Sequence, residues 1–310
     1  MLDPYLAVPD TGPLASSLLA EISSYRFVGL RVDVSEDHVR ARSQALAFTT
    51  PQALLAFPTI KLIFLLAGGS MTRSDDAPWT SKGLEDHTRD ECRKLLEFGY
   101  FDPGRVYHPA FEIGNEPDLA HDYWKGRPKD LAKTFSTCYA IIREFSSSSP
   151  VLSPSISNLN ERGLKYLEKM APYLPPGCCV AFHRYPASQF FSTPHKGSMT
   201  RNAEIETLRE FAGDRPLWNT ETGWAEINKG YQLTEAEISE RLTQEIEFHA
   251  ALDVRVLTLY QINSAEILPE DSENVRRLKT YGLRAPTDHG WKWKPRAAVI
   301  RDTIERLGLG

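Results

Sequence analysis

Short runs dense in Val, Ile, Leu and Phe alternate along the chain with longer stretches in which apolar residues recur at helical spacing. The first pattern belongs to strands buried on both faces, the second to helices with one apolar side. Their alternation is the mark of βα units around a parallel sheet. The runs read as strands are Phe27–Val34, Ile60–Ala67, Ala110–Gly114, Val151–Ser155, Cys179–His183, Leu217–Thr220 and Val256–Gln261. Helical spacing covers Leu14–Ser24, a stretch within Glu36–Ala56, Leu84–Phe98, Lys129–Phe145, Leu164–Ala171, Arg201–Phe211, Glu235–Leu252 and Pro295–Leu307. The helix at Leu14–Ser24 needs a strand before it, and Tyr5–Val8 takes that place, short and without an obvious partner.

Eight such units predict a (β/α)8 barrel, an α/β fold, as a single domain over residues 1–310. Boundary chemistry agrees. Thr234 ahead of Glu235 and Glu237 caps a helix and places acids in its first turn, and Pro295 suits the start of the last helix. Ser146–Pro150 and the Pro172, Pro175, Pro176, Gly177 cluster interrupt the pattern only briefly, so neither reads as a domain linker. The segment Ile262–Lys294 has no βα rhythm and reads as a long loop after strand eight, of the kind that carries function.

Composition narrows the class. With 41% hydrophobic and 25% charged residues the chain can bury a sizeable core, which excludes a disordered protein. A net charge of -5 without a dense Lys/Arg run argues against a nucleic-acid partner. The longest apolar stretch, Ile60 to Ala67, contains Lys61 and is too short to span a bilayer, so no membrane partner is expected. Cys92, Cys138, Cys178 and Cys179 show no metal-ligand spacing and read as reduced structural thiols. Together with the lack of an export signal after Met1, this points to a cytoplasmic protein, or to a secreted one had a leader been trimmed. No feature of the sequence names an oligomeric state, and no cofactor is expected.

In such barrels the active site forms where strands end at their C-terminal side. Two carboxylates stand there: Glu116 in Phe111-Glu112-Ile113-Gly114-Asn115-Glu116-Pro117-Asp118 after strand four, and Glu221 in Leu217-Trp218-Asn219-Thr220-Glu221-Thr222-Gly223-Trp224 after strand seven. Strands four and seven face each other across the barrel mouth, so the two carboxylates can converge over one ligand. Cleaving a glycosidic bond with retention needs such a pair about 5 to 5.5 Å apart.

Asn115-Glu116-Pro117 at strand four and Glu221 after strand seven resemble clan A of the glycoside hydrolases, the 4/7 superfamily of retaining β-glycosidases. The resemblance spans the whole barrel. It implies that Glu116 is the acid/base, that Asn115 binds the sugar 2-hydroxyl and that Glu221 is the nucleophile, on an oligosaccharide or other β-glycoside.

Other positions fit that pattern and have physical reasons of their own. Arg31, within apolar Gly29–Asp33, needs a carboxylate: either Glu221, as the resemblance implies, or Asp33 or Glu112 as a packing partner. His183-Arg184-Tyr185 is similar to the clan's His-x-Tyr after strand six, and alternation puts His183 and Tyr185 on one side, with a satisfied core His as the other reading. No second ligand recurs at metal spacing near His183, so no metal is expected.

Aromatic residues after strands suit the flat C–H faces of sugars. Trp224, Tyr260, Trp124, Trp291 and Trp293 qualify, while Trp124 and Trp79 also read as loop anchors. Where clan members usually carry Trp at the end of strand eight, this chain has Tyr260. Either Tyr260 or a later Trp such as Trp291 then forms the floor of the sugar site. Phe111–Asp118 with His183-Arg184-Tyr185-Pro186 resembles the β-glucuronidase and heparanase group; Thr220-Glu221-Thr222-Gly223-Trp224 resembles β-1,3-glucanases. The competing readings are a carbohydrate-binding barrel without turnover and a phosphate-handling barrel, for which Gly68-Gly69 after strand three is the only double glycine.

Overall fold

A computed structural model describes residues 2–8, 16–34, 60–67, 79–97, 99–102, 107–119, 124, 126–185, 201–228, 231–262, 264, 266–288 and 290–309. Eight parallel barrel strands are present: β1 (Asp3–Val8), β2 (Gly29–Val34), β3 (Lys61–Leu66), β4 (Ala110–Ile113), β5 (Val151–Leu152), β6 (Val180–His183), β7 (Leu217–Thr222) and β8 (Val254–Leu259). They run side by side in the order β5-β4-β3-β2-β1-β8-β7-β6. A parallel bridge between Leu152 and Cys179 joins the two ends, with the Cys179 amide donating to the Val151 carbonyl at 2.9 Å and the Ser153 amide to that of Cys179 at 2.9 Å. The sheet is thereby closed into a (β/α)8 barrel flanked by helices. The strand that lacked a partner in the sequence, β1, pairs on one side with β2 and on the other with β8.

Strand alternation divides the core in two. Tyr5, Ile63, Ala110, Leu152, Cys179, Ala181, Trp218 and Val256 fill the barrel interior. Their neighbours, among them Leu6, Leu30, Phe64, Phe111, Phe182, Leu217 and Leu257, turn outward under the helices. Gly29 is required by this packing, because the Tyr5 ring lies where its Cβ would be, with Cε1 at 2.1 Å.

Helices occupy Ser16–Ser24, Ser81–Glu97, Pro128–Phe145, Glu161–Met170, Arg201–Ala212, Glu235–Ala250 and Pro295–Arg306, all within a few residues of their predicted bounds. The helix placed within Glu36–Ala56 lies outside the described residues. Thr234 and Glu237 form a reciprocal capping box, and Pro295 stands in the first helical turn.

Two expectations need correction. The strand expected over Val151–Ser155 is regular only over Val151–Leu152, because Pro154 has no N–H for the ladder. Beyond it pairing survives as single bridges, Asn115 with Ser155 and Ile156 with Phe182. The segment Ile262–Lys294 is not a featureless loop. It holds a helix, Glu273–Lys279, capped by Ser272, and a hairpin of Arg284–Thr287 against Gly290–Trp293. Among the described residues no helix is long and apolar enough to cross a membrane.

Candidate active site

Inward-facing positions at the upper ends of the strands build the site. Arg31 on β2 and Glu112 on β4 are buried, His183 on β6 wholly so. Arg31 holds three partners at once: Nε donates to Glu112 Oε2 at 2.7 Å, Nη1 to Glu221 Oε2 at 3.1 Å and Nη2 to Asn115 Oδ1 at 3.0 Å. The sequence offered Glu112 and Glu221 as alternatives; one guanidinium takes both, because its fork presents donors in separate directions. Thr220 Oγ1 donates to the other Glu112 oxygen at 2.9 Å. Burial alone would raise the Glu112 pKa. The Arg31 charge and hydrogen bond, with His183 nearby, outweigh it and leave the carboxyl below its ordinary value.

Glu116 follows the strand on an unusual backbone, with φ at 48° in the left-handed region. Such strain in a non-glycine residue persists only where neighbours enforce it, and here the Glu116 amide donates to the Ser155 carbonyl at 2.8 Å. Asp118 pins the same turn by accepting from the Ser157 amide at 2.7 Å and its hydroxyl at 2.6 Å. The Glu116 carboxylate meets His183 Nδ1 at 2.8 Å. His183 Nε2 lies 3.8 Å from Glu221 and 3.9 Å from Glu112. Burial would depress the imidazole pKa, but the charge of Glu221 and the hydrogen bond and charge of Glu116 raise it above its ordinary value.

Glu221 reaches the mouth through a β-bulge. Trp218 and Thr220 face inward and Leu217 and Asn219 outward, so strict alternation would turn Glu221 out as well. Asn219 pairs with Phe182 and Leu257, yet the next partners are Glu221 with His183 and Thr222 with Leu259, a one-residue slip. The bulge brings Thr220 and Glu221 to the same face, as bulges beside active sites do. Besides Arg31, Glu221 accepts from Tyr185 Oη at 2.5 Å. Burial first, then the charge of Glu221, holds the Tyr185 hydroxyl well above its ordinary pKa, so it stays a donor.

One oxygen each from Glu116 and Glu221 and a nitrogen of His183 lie within 4.8 Å of one another. Among the described residues this is the one trio that could also offer three ligands to a metal ion.

Of the residues singled out in the sequence, Arg31, Asn115, Glu116, His183, Tyr185 and Glu221 converge. Tyr260 joins them, its hydroxyl pKa raised by burial and then by the charge of Glu221, with Arg31 and Glu116 also felt. Trp224 does not converge: it is buried outside the barrel, its ring against the Arg241 guanidinium at 4.8 Å. Trp224 lies beyond the bulge, in the layer between the sheet and the helices. Trp291 is exposed beneath Arg284, 5.7 Å from its ring centre. Trp293 stacks on Tyr25 at 4.3 Å, and Trp79 and Trp124 are buried and bridged to each other, as loop anchors are.

Two participants escaped the sequence reading as site residues. Glu112 had a usable signal, a charge inside an apolar strand two residues from inward-facing Ala110. Tyr281, from the segment after β8, had none. Its ring packs edge-on against Tyr185 at 5.7 Å and Tyr260 at 5.5 Å.

No protein-family model matches the chain, and no curated protein matches it significantly. Solved structures do. A GH5_18 protein of Streptomyces cattleya, in complex with GlcNAc, superimposes with a TM-score of 0.67 at 13% identity, covering 99% of this chain and 80% of that one. An exo-β-1,4-mannosidase of Opitutaceae bacterium strain TAV5 gives 0.67 at 14% identity, over 99% and 60%. The cellulose synthase subunit Z of Clostridioides difficile gives 0.62 at 11%, over 97% and 99%. This chain has the barrel fold of those proteins.

Proposed function

We propose that the chain is a retaining β-glycoside hydrolase of clan A, acting on an oligosaccharide or other β-glycoside by double displacement. The observation that carries this reading is the placement of Glu116 and Glu221 oxygens within 4.8 Å of each other, each with a different set of partners. Oxygens that close support the short separation of a retaining pair, about 5 to 5.5 Å, over the roughly 6.5 to 9.5 Å of an inverting one.

The partners divide the roles. Glu221, between the Arg31 cation and the Tyr185 hydroxyl, is held as a charged nucleophile that attacks the anomeric carbon. Glu116, in contact with His183 Nδ1, delivers a proton to the leaving oxygen as the glycosidic bond breaks. The result is a glycosyl ester on Glu221 and a free alcohol. In the second half Glu116 takes a proton from water, the hydroxyl attacks the same carbon, and Glu221 leaves as a carboxylate. Asn115, fixed by Arg31, is placed to meet the sugar 2-hydroxyl. Tyr260, supported by Tyr281, supplies the ring beneath the sugar.

Solved structures of the same fold that are named as an endoglucanase of family GH5-4 and a GH30 xylanase support the reading. The test is turnover of a panel of aryl β-glycosides. Glu221→Gln should abolish release of the aryl group, and Glu116→Ala should lose activity that azide restores on an activated leaving group. Wild-type turnover in both variants would overturn the assignment.

A further inference from the structure

The bulge that aims Glu221 leaves its N–H outside the regular ladder, and the group that takes it is a side chain. Asn219 Oδ1 accepts from the Glu221 amide at 3.2 Å. The same side chain points outward, between the sheet and the helix Glu235–Ala250, and its Nδ2 lies 2.9 Å from His249 Nε2. His249 is wholly buried, with Phe182 stacked against one face and Phe248 edge-on. Its other nitrogen, Nδ1, lies 2.8 Å from the Glu245 carbonyl oxygen.

These three links determine one another. A carbonyl oxygen only accepts, so Nδ1 carries a proton, and the neutral imidazole then presents a lone pair at Nε2. That lone pair requires the Asn219 amide nitrogen to face it, which turns Oδ1 toward the Glu221 N–H. The amide could otherwise sit in either of two orientations, and only one of them holds the bulge. We infer that His249 and Asn219 are positioning residues that set the Glu221 backbone from outside the barrel and so aim its carboxylate; the inference rests on the proposed role of Glu221.

The variants separate positioning from packing. His249→Phe keeps an aromatic ring between Phe182 and Phe248 but has no acceptor. His249→Gln restores an acceptor near the former Nε2. Loss of the acceptor should lower kcat on the best aryl glycoside about tenfold, the scale of one buried hydrogen bond. KM should stay within about twofold, because the sugar contacts are untouched. His249→Gln should recover most of kcat, and Asn219→Ala should match His249→Phe.

A second readout needs no activity. Hydrogen exchange of the Glu221 amide should be slow in the wild type and His249→Gln, and faster in His249→Phe and Asn219→Ala. The imidazole 15N shifts of His249 should report a proton on Nδ1. An unchanged amide and unchanged kcat in both disrupting variants would overturn the inference, as would a His249 proton on Nε2 or equal losses in His249→Phe and His249→Gln. Were the wild type inactive on every glycoside, the proposed function would fall, while the exchange and 15N data would still decide whether the relay exists.

Discussion

Charge at the residue scale is organised around Arg31, which joins Glu112, Glu221 and Asn115 by hydrogen bonds. Arg31→Met would leave the fully buried Glu112 without its cation. Breaking one side of such a pair costs about 3 to 5 kcal/mol, measurable by urea denaturation, and turnover should fall with it. The pH dependence of stability has two opposite limbs. The His183 pKa is higher in the folded chain than its ordinary 6.5, so its contribution is complete below that value and fades as pH rises through the folded one. Glu112 lies below its ordinary 4.5, so its contribution is complete above that value and is lost as pH falls through the folded one. Denaturation curves over about pH 2 to 9 should show both limbs, with His183→Asn flattening the alkaline one alone. That Arg31 needed a carboxylate was legible, since a lone guanidinium in an apolar strand is expensive. That it would bind two was not, because the second partner comes from a strand far along the chain.

Two joints matter most among the elements. The capping box at Thr234 starts the helix that carries His249, so Thr234→Ala should destabilise the chain by about 1 kcal/mol, read as a lower midpoint in denaturant. Gly223, just past the bulge, lets β7 and β8 approach: a Cβ there would meet the Tyr260 carbonyl at 2.5 Å and the Tyr281 ring at 2.9 Å. Gly223→Ala should therefore push the Tyr260 end of β8 away, costing about 1 to 3 kcal/mol and raising KM on the best aryl glycoside. The capping box could be read from Thr234-Glu235-Ala236-Glu237 because a cap is local. The demand at Gly223 could not, because the atom it avoids belongs to another strand.

For the molecule as a whole, the segment after β8 serves two places: Tyr281 reaches the mouth, and the hairpin lies along the barrel's side. Trp293 stacks on Tyr25 and donates to Glu21 at 2.9 Å, tying the Arg284–Trp293 hairpin to the first helix. Trp293→Ala should cost about 2 kcal/mol of stability while kcat/KM stays within about twofold of wild type. Tyr260→Ala should instead raise KM at least about tenfold, and a like effect from Trp291→Ala would relocate the floor of the sugar site. The alternation of strands and helices, and two acidic residues at strand ends, were determined by the sequence alone. Burial on both faces and helical spacing are patterns that a few neighbouring residues complete. Tertiary structure decided that Glu221 faces inward, that Tyr281 rather than a tryptophan backs Tyr260, and that Trp224 and Trp291 stand apart. Each of these depends on register between distant segments, and a slip of one residue in a strand exchanges inside for outside.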